Sequence, residues 1–165
     1  AIGACIASEN RRTICIEGEG GLQMNIQELE TISRLNLNVK IFVINNGGYS
    51  SIRASQKNYF GRIYGADNES GTSFPSTSKI ARAYGLNTKI LDDPSNLEHE
   101  ISQILDSNGP TVCEVIVQND EPREPRLATV KKPDGKMVSR PLEDMYPFLD
   151  REELKQMMFI PTIPE

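Results

Sequence analysis

The sequence predicts an α/β domain, layered around a mainly parallel sheet with helices on both faces. Two observations carry this prediction. Segments with strand and helix patterns alternate along residues 1–119, and residues 39–45 are almost continuously apolar, as in a strand that is covered on both faces. The chain has 165 residues, of which 38% are hydrophobic and 25% charged, so it is long enough and apolar enough to bury a core.

The first quarter of the chain is predicted to run helix, strand, helix, strand. Residues 1–8 are small and apolar and resemble the last turns of a buried helix, so the chain is expected to be a piece of a longer polypeptide. Residues 13–17 form a short apolar strand between polar residues and glycines. Asn25 is expected to cap the next helix, with Glu28 three residues later, and residues 36–38 end that helix before strand 39–45.

The middle of the chain is less regular. Residues 50–57 are predicted to form a short helix, followed by a segment at 58–75 that is rich in Gly, Ser, Asn and aromatic residues. A loop of that length in a compact domain is functional or mobile, and we expect an active-site flap. Arg53, Tyr59, Phe60 and Arg62 are candidates for contact with a substrate or a partner subunit, and the sequence leaves that choice open.

Regular alternation returns after residue 75. Ser76 is expected to cap a helix that ends at Tyr84, with Gly85 in the left-handed conformation, before a strand at 87–91. Ser95 and Glu98 are expected to open a helix that residues 108–110 close, and residues 111–117 form the last strand. We therefore predict one domain at 1–119 and a proline-rich extension at 120–165, which contains an exposed turn at 131–136 and a helix capped by Asp150.

Composition excludes several classes of protein. The net charge of −5 argues against a nucleic-acid partner, and no apolar run approaches the roughly 18 residues of a membrane span. Cys5, Cys15 and Cys113 are far apart among aliphatic neighbours, as expected of buried free thiols in a reduced cytoplasm. His99 is the only histidine and lies among glutamates, so it is predicted to be a surface residue and not part of a nucleophile system.

Polar or glycine-rich turns follow two of the predicted strands. Residues 18–21 are Gly-Glu-Gly-Gly, and residues 45–48 are Asn-Asn-Gly-Gly, with one helix between the two turns. In an open parallel sheet both turns lie at the carboxyl edge, where such folds bind ligands. The carboxylate of Glu19 and the amide of Asn46, beside exposed backbone N–H groups, suit a hard cation that carries phosphate.

This pairing resembles the signature of thiamine diphosphate enzymes, which is Gly-Asp-Gly followed after a helix and a strand by Asn-Asn. Residues 20–29 look most like the acetolactate synthase branch. The resemblance implies the thiamine diphosphate-binding fold, with Mg²⁺ held by Glu19, Asn46 and the backbone carbonyl of Gly48. The cofactor contacts that it implies are Gly18, Glu19, Gly20, Gly21, Leu22, Asn46, Gly48, Tyr49 and Ser50.

The sequence departs from the family pattern at two places. Glu19 stands where the family has aspartate, one methylene shorter, and Mg²⁺ tolerates little deviation from octahedral geometry, so either the turn retreats or the choice of metal differs. Residues 47–56 carry serines where acetolactate synthases have a Gly-Met-Val segment and a tryptophan, and the chain has no tryptophan. A larger or more polar acceptor, such as a sugar-like carbonyl, is therefore a hypothesis beside acetolactate formation.

The resemblance also implies a reaction. It is the decarboxylation of a 2-oxo acid, pyruvate by default, and the transfer of the resulting acyl carbanion, with chemistry supplied by the cofactor. In this family the activating glutamate lies on a separate pyrimidine-binding domain. No catalytic residue is therefore assigned in this chain, Glu17, Glu28 and Glu30 are not given that role, and the chain alone is expected to be inactive.

Two other interpretations stay open. The chain is a separate subunit of a 2-oxo acid decarboxylase, or it is a catalytically inactive interaction module that retains the fold, which the unusual Glu19 favours. The partners that the family implies are the pyrimidine-binding domain of the same enzyme and a second copy, in a homodimer or homotetramer. The family's flavin region is expected outside this chain, so the sequence does not address FAD, and we expect a cytoplasmic protein with no membrane partner.

Overall fold

The structure, a computed structural model, describes residues 1–119, 121 and 124–161. These belong to two compact units, Ala1–Glu121 and Pro122–Glu165. The domain boundary predicted after residue 119 adjoins residue 120, which lies outside the described residues. No helix in the described part of the chain is long and apolar enough to cross a membrane.

The first unit is built on a four-stranded parallel sheet. Its register places Gly18 beside Ile44 and Asn45 beside Ile116, so these strands end together at the carboxyl edge. This confirms the predicted mainly parallel sheet. In spatial order the strands are β1 (Thr13–Gly18), β2 (Val39–Asn45), β4 (Thr111–Ile116) and β3 (Asn87–Leu91).

Helices cover both faces of this sheet, as predicted. On one face Leu22, Leu29 and Ile32 pack with Val39 and other inward residues of β2 and β4, and on the other face Ile104 packs with residues of β2, β3 and β4. The helices of the unit are α1 (Ile2–Ala7), α2 (Glu19–Met24), α3 (Glu28–Arg34), α4 (Ser50–Phe60), α5 (Thr77–Ala83) and α6 (Leu97–Asp106), the last preceded by a 3₁₀ turn at Pro94–Asn96.

Two helix starts differ from the predictions. Asn25 does not cap a helix: it ends α2, which begins at Glu19 directly after β1, and Gln27 precedes α3. The core contact of Leu22 holds the first turn of α2 against the sheet, which outweighs the poor helix propensity of the glycines before it. Ser95 is not the cap before α6 either, because Asp93 accepts from its N–H group and Pro94 opens a 3₁₀ turn.

Other boundaries agree with the sequence. Ser76 accepts from the N–H group of Lys79 at the start of α5, and Gly85 has a φ of +74° after its end. The helix predicted at 50–57 continues to Phe60, where Gly61 in the left-handed conformation ends it. His99 is exposed on α6, as predicted.

A lysine is fully buried at the amino end of β2. The Nζ of Lys40 donates to the carbonyl oxygens of Ser107 at 2.7 Å and Gly109 at 2.5 Å and to the Ser107 hydroxyl at 3.0 Å. Burial lowers the pKa of Lys40, and the charge of Arg12 acts in the same direction. The acceptors follow the end of α6, so the ammonium stabilises that end of the helix.

All three cysteines are free, and two are buried as predicted. Cys113 lies on β4 beneath α6, in contact with a cluster that contains Phe42 and Ile104. Burial raises the pKa of the Cys113 thiol to about 11. Cys5 is also buried, whereas Cys15 is half-buried.

The second unit contains a hairpin and a helix. Strands β5 (Thr129–Lys131) and β6 (Met137–Ser139) pair antiparallel around the turn that the sequence predicted. Helix α7 (Arg151–Met157) begins after Asp150, whose carboxylate accepts from two N–H groups of the first turn.

Asp144 is buried and receives two hydrogen bonds from Arg151, at 2.7 and 3.0 Å. These bonds hold the pKa of Asp144 below its usual range.

Candidate functional site

The Glu19 side chain joins the two turns at the carboxyl edge of the sheet. Glu19 is only 2% exposed at the first position of α2. Its Oε1 accepts from the N–H groups of Gly48 at 2.7 Å and Asn46 at 3.2 Å, and its Oε2 lies 3.3 Å from the Asn46 nitrogen. The structure therefore brings together the three residues that the resemblance implied as metal ligands.

Asn46 presents a buried oxygen at this junction. Its Oδ1 has no hydrogen-bond partner among the described residues. An amide oxygen that is buried without a partner costs about 1–3 kcal/mol, and such an atom calls for an explanation such as a bound ion. Because carboxylate and amide oxygens are the ligands that hard divalent cations prefer, the residues at this edge fit a magnesium-like ion.

The extra methylene of Glu19 lets its carboxylate reach the backbone of the next strand end. One oxygen, Oε1, makes the two shorter contacts, whereas Oε2 makes one long contact. A carboxylate offers about four acceptor positions, so capacity for a cation remains. The described residues contain no group of three His, Cys, Asp or Glu side chains that could hold a metal. A cation bound beside Glu19 would therefore take its other ligands from amide, backbone or cofactor oxygens.

We call residues 45–48 the asparagine turn, and a buried arginine on α4 supports it. Arg53 is 4% exposed, and its Nη2 donates to the carbonyl oxygen of Asn46 at 2.9 Å and to that of Asn119. Its Nε lies 3.8 Å from the Asp67 carboxylate. Burial among these groups places Arg53 inside the unit and not on a surface that meets substrate.

A buried glutamate on β4 supports the asparagine turn through Asn45. Glu114 is 6% exposed and accepts from Asn45 Nδ2 at 2.8 Å and from the N–H group of Ser78 at 3.3 Å. The Oδ1 of Asn45 in turn accepts from the N–H group of Gly47 at 3.1 Å. Sequence reasoning missed this residue, although a single acidic residue inside the apolar run 111–117 was a usable signal.

The glycines of the two turns have separate steric roles. A Cβ on Gly20 would collide with the Tyr49 ring, and one on Gly48, whose φ is +147°, would collide with the carbonyl oxygen of Ala66. A Cβ on Gly21 would meet only the end of the Glu17 side chain. Gly20 and Gly48 therefore allow the two turns and the following loop to approach one another closely.

Residues 61–76, which we call the 61–76 loop, contact Tyr49 in addition to Arg53. The carbonyl oxygen of Ala66 accepts from the N–H group of Tyr49 at 2.7 Å, and the ring of Phe74 meets the Tyr49 ring edge-on at 4.9 Å. Asp67 is held by the Ser70 hydroxyl at 2.6 Å, and that bond is the main cause of a lowered pKa of Asp67. That this loop acts as a flap stays a prediction.

The remaining residues of the implied cofactor set lie around the same edge. Gly18 ends β1, Tyr49 immediately precedes α4, and Ser50 is the first residue of that helix. Leu22 points into the core, where it packs with Leu29, so its side chain serves the fold.

Comparison with known proteins gives a consistent result. Residues 1–115 match the family described as "Thiamine pyrophosphate enzyme, C-terminal TPP binding domain". The chain is 34% identical over 131 residues to an acetolactate synthase large subunit from Cyanidium caldarium, an alignment that covers 79% of this chain and 22% of that protein. It is 30% identical over 122 residues to acetolactate synthase isozyme 1 large subunit from Escherichia coli, covering 73% and 21%. The chain thus spans about a fifth of the length of these relatives.

Proposed function

The chain belongs to the thiamine pyrophosphate enzymes, as their C-terminal TPP-binding domain, and from this premise we propose that it binds thiamine diphosphate through a divalent cation at the Glu19–Asn46 junction. The observation that carries the proposal is the buried Asn46 Oδ1, which has no partner among the described residues. A cation beside the Glu19 carboxylate would satisfy this oxygen and neutralise the diphosphate.

The residues at the two strand ends have different proposed roles. Glu19 supplies a carboxylate oxygen to the cation and keeps the asparagine turn against α2 through its hydrogen bonds to Asn46 and Gly48. Asn46 supplies its amide oxygen and Gly48 its backbone carbonyl. Gly18, Gly20, Gly21, Tyr49 and Ser50 line the cofactor, and Leu22 does so through its backbone, because its side chain packs in the core.

For the whole protein we propose an acetolactate synthase-like reaction. The relatives with the matching domain are named acetolactate synthases, and the cofactor supplies the carbanion chemistry for decarboxylation of a 2-oxo acid and acyl transfer. Pyruvate is the proposed donor. The residues of this chain hold the diphosphate end, while the activating glutamate would come from a pyrimidine-binding domain. The protein would act as a cytoplasmic homodimer or homotetramer.

The test uses the complete protein with thiamine diphosphate and Mg²⁺. Calorimetry measures cofactor binding, and carbon dioxide release from pyruvate measures turnover, for the wild type, Glu19→Ala and Glu30→Ala. Glu30 is an exposed glutamate on α3 and serves as the matched control. We expect binding and release to vanish only in Glu19→Ala. Binding that survives in Glu19→Ala would contradict the metal role, and cofactor binding without release would point to another donor acid.

A second candidate rests on the hydrogen bonds of Glu19. Because its carboxylate already accepts from the asparagine turn, Glu19 also suits an inactive module in which it only fastens two strand ends. Glu19→Gln separates the two candidates, since glutamine keeps an acceptor oxygen and loses the charge. Weaker Mg²⁺ binding with an unchanged melting temperature supports the metal site. Equal melting temperatures with no Mg²⁺ binding in either protein would support the inactive module.

A further inference from the structure

We propose that Arg53 is a positioning residue for the metal ligand Asn46, and that it couples this ligand to the 61–76 loop. The inference rests on the proposed cation site. Arg53 does not bind the cation: its guanidinium holds the backbone carbonyl of Asn46, the residue whose side-chain oxygen is the proposed ligand.

The hydrogen bonds of Arg53 join two strand ends. Nη2 donates to the carbonyl oxygen of Asn46, directly after β2, at 2.9 Å. The same nitrogen donates to the carbonyl oxygen of Asn119, three residues after β4. Because Arg53 lies in the first turn of α4, these bonds tie the asparagine turn to that helix. Rotation of the Asn46 peptide would break the first of them.

The ion pair with Asp67 brings in the 61–76 loop. The side chains of Arg53 and Asp67 are 5% and 19% exposed, with Nε and Oδ2 3.8 Å apart. Asp67 forms an isolated antiparallel bridge with Gly48, and the preceding carbonyl, that of Ala66, accepts from Tyr49. A displacement of this part of the loop would therefore pull on the guanidinium that holds Asn46.

Groups that orient metal ligands without touching the metal have measurable effects. Loss of such an outer partner typically costs roughly 10- to 100-fold in metal affinity. Arginine suits this position because its planar guanidinium presents several N–H donors in fixed directions, whereas lysine is a compact point charge on a flexible stem. Lysine keeps the charge but lacks the fixed donor directions, so it should not restore the positioning.

The test measures Mn²⁺ binding by electron paramagnetic resonance, in the complete protein with saturating thiamine diphosphate. We expect Arg53→Lys to raise the Mn²⁺ dissociation constant by roughly 10-fold or more and to broaden the signal of the bound ion. Asp67→Asn, which leaves the bonds to the two carbonyls, should give a smaller rise. Arg82→Lys is the matched control, because Arg82 is exposed on α5 and bonds the Thr88 hydroxyl, and its dissociation constant should equal that of the wild type.

The outcomes separate the two proposals. If wild type binds Mn²⁺ and folded Arg53→Lys binds it equally well with the same signal, the positioning role is wrong, even where the melting temperature falls. Wild-type affinity in Asp67→Asn overturns the coupling to the 61–76 loop, because that variant keeps the bonds to the two carbonyls. If Arg53→Lys does not fold, folded Arg53→Gln, which lacks the guanidinium, takes its place, and wild-type Mn²⁺ affinity in that variant overturns the positioning role. If the wild type binds no Mn²⁺ with the cofactor, the proposed function itself fails and the inference fails with it.

Discussion

The two ends of strand β2 bury polar groups in opposite ways. At its amino end Lys40 is fully buried, and its ammonium donates to three oxygens of Ser107 and Gly109. Beyond its carboxyl end the Oδ1 of Asn46 is buried with no partner among the described residues. Both groups incur a desolvation cost, and among residues 1–119, 121 and 124–161 only that of Lys40 is offset.

This difference separates stabilising polar groups from ligand-binding ones. A buried group whose hydrogen bonds are complete contributes to folding and has nothing left to offer a ligand. A buried oxygen without a partner weakens the fold until a ligand supplies the missing contact. The comparison predicts that substitutions at the two ends of β2 affect different measurements.

Asn46→Leu should have the largest effect, and on binding alone. Leucine is similar in size and removes the unpaired oxygen, so the free energy of unfolding should stay within about 1 kcal/mol of the wild type. Mg²⁺-dependent binding of thiamine diphosphate should weaken on the order of 100-fold, because a ligand is lost. Calorimetry and thermal unfolding of the complete protein check both parts. A large loss of stability with intact cofactor binding would show that the Asn46 side chain contributes to folding and not to binding.

Lys40→Met should show the opposite pattern. Removal of the ammonium leaves the half-buried carbonyl oxygens of Ser107 and Gly109 without this donor, so we expect a loss of about 3 kcal/mol in the free energy of unfolding. Cofactor affinity in the folded protein should stay within about twofold of the wild type, since Lys40 lies at the far end of the strand. Denaturant unfolding gives the first value and calorimetry the second. Stability equal to the wild type would show that the oxygens find other donors.

The glycines of α2 test how the site is packed. Gly20→Ala places a Cβ against the Tyr49 ring, and overpacking of this kind costs about 1–3 kcal/mol. Gly21→Ala is the control, because the colliding atom is the end of a flexible glutamate side chain that can swing aside. In thermal unfolding, the melting temperature of Gly20→Ala should be clearly lower than that of Gly21→Ala. Equal melting temperatures would mean that the Tyr49 ring moves freely.

Asp144, in the second unit, is like Lys40 a buried charged group that has hydrogen-bond partners. Its folded-state pKa lies below the usual value because Arg151 hydrogen-bonds the carboxylate. The contribution to stability is therefore present at neutral pH and is lost as pH falls below the ordinary value of 3.8. Asp144→Asn should be less stable than the wild type at pH 7, and the difference should shrink in acid. A difference that is constant between pH 7 and pH 2 would contradict this role.

Local patterns in the sequence were enough to predict the sheet, most of the helices and the family. The apolar run at 39–45 predicted β2, Ser76 and Asp150 predicted two helix starts, and the two polar turns predicted the family. Each of these features depends on residues that are neighbours in the chain, where periodicity, capping and turn chemistry apply directly.

Features that depend on tertiary packing were not predicted. The start of α2 at Glu19 follows from the burial of Leu22 against the sheet, which no cap residue announces. The supports of the asparagine turn, Arg53 and Glu114, come from separate segments and acquire their roles only when strand ends meet. Lys40 is similar, because its acceptors lie about 70 residues further along the chain.

Because Cys113 is buried, the rate at which its thiol is labelled can report local opening of this domain. Its thiol is shielded by α6 and ionises with a pKa of about 11, so at neutral pH a thiol reagent meets neither an accessible sulfur nor a thiolate. Labelling must wait until α6 leaves the sheet, and its rate therefore reports how often that happens. Mass spectrometry of Cys113 adducts over time would thus measure how often α6 separates from the sheet in the intact protein. The measurement needs no probe added to the sequence.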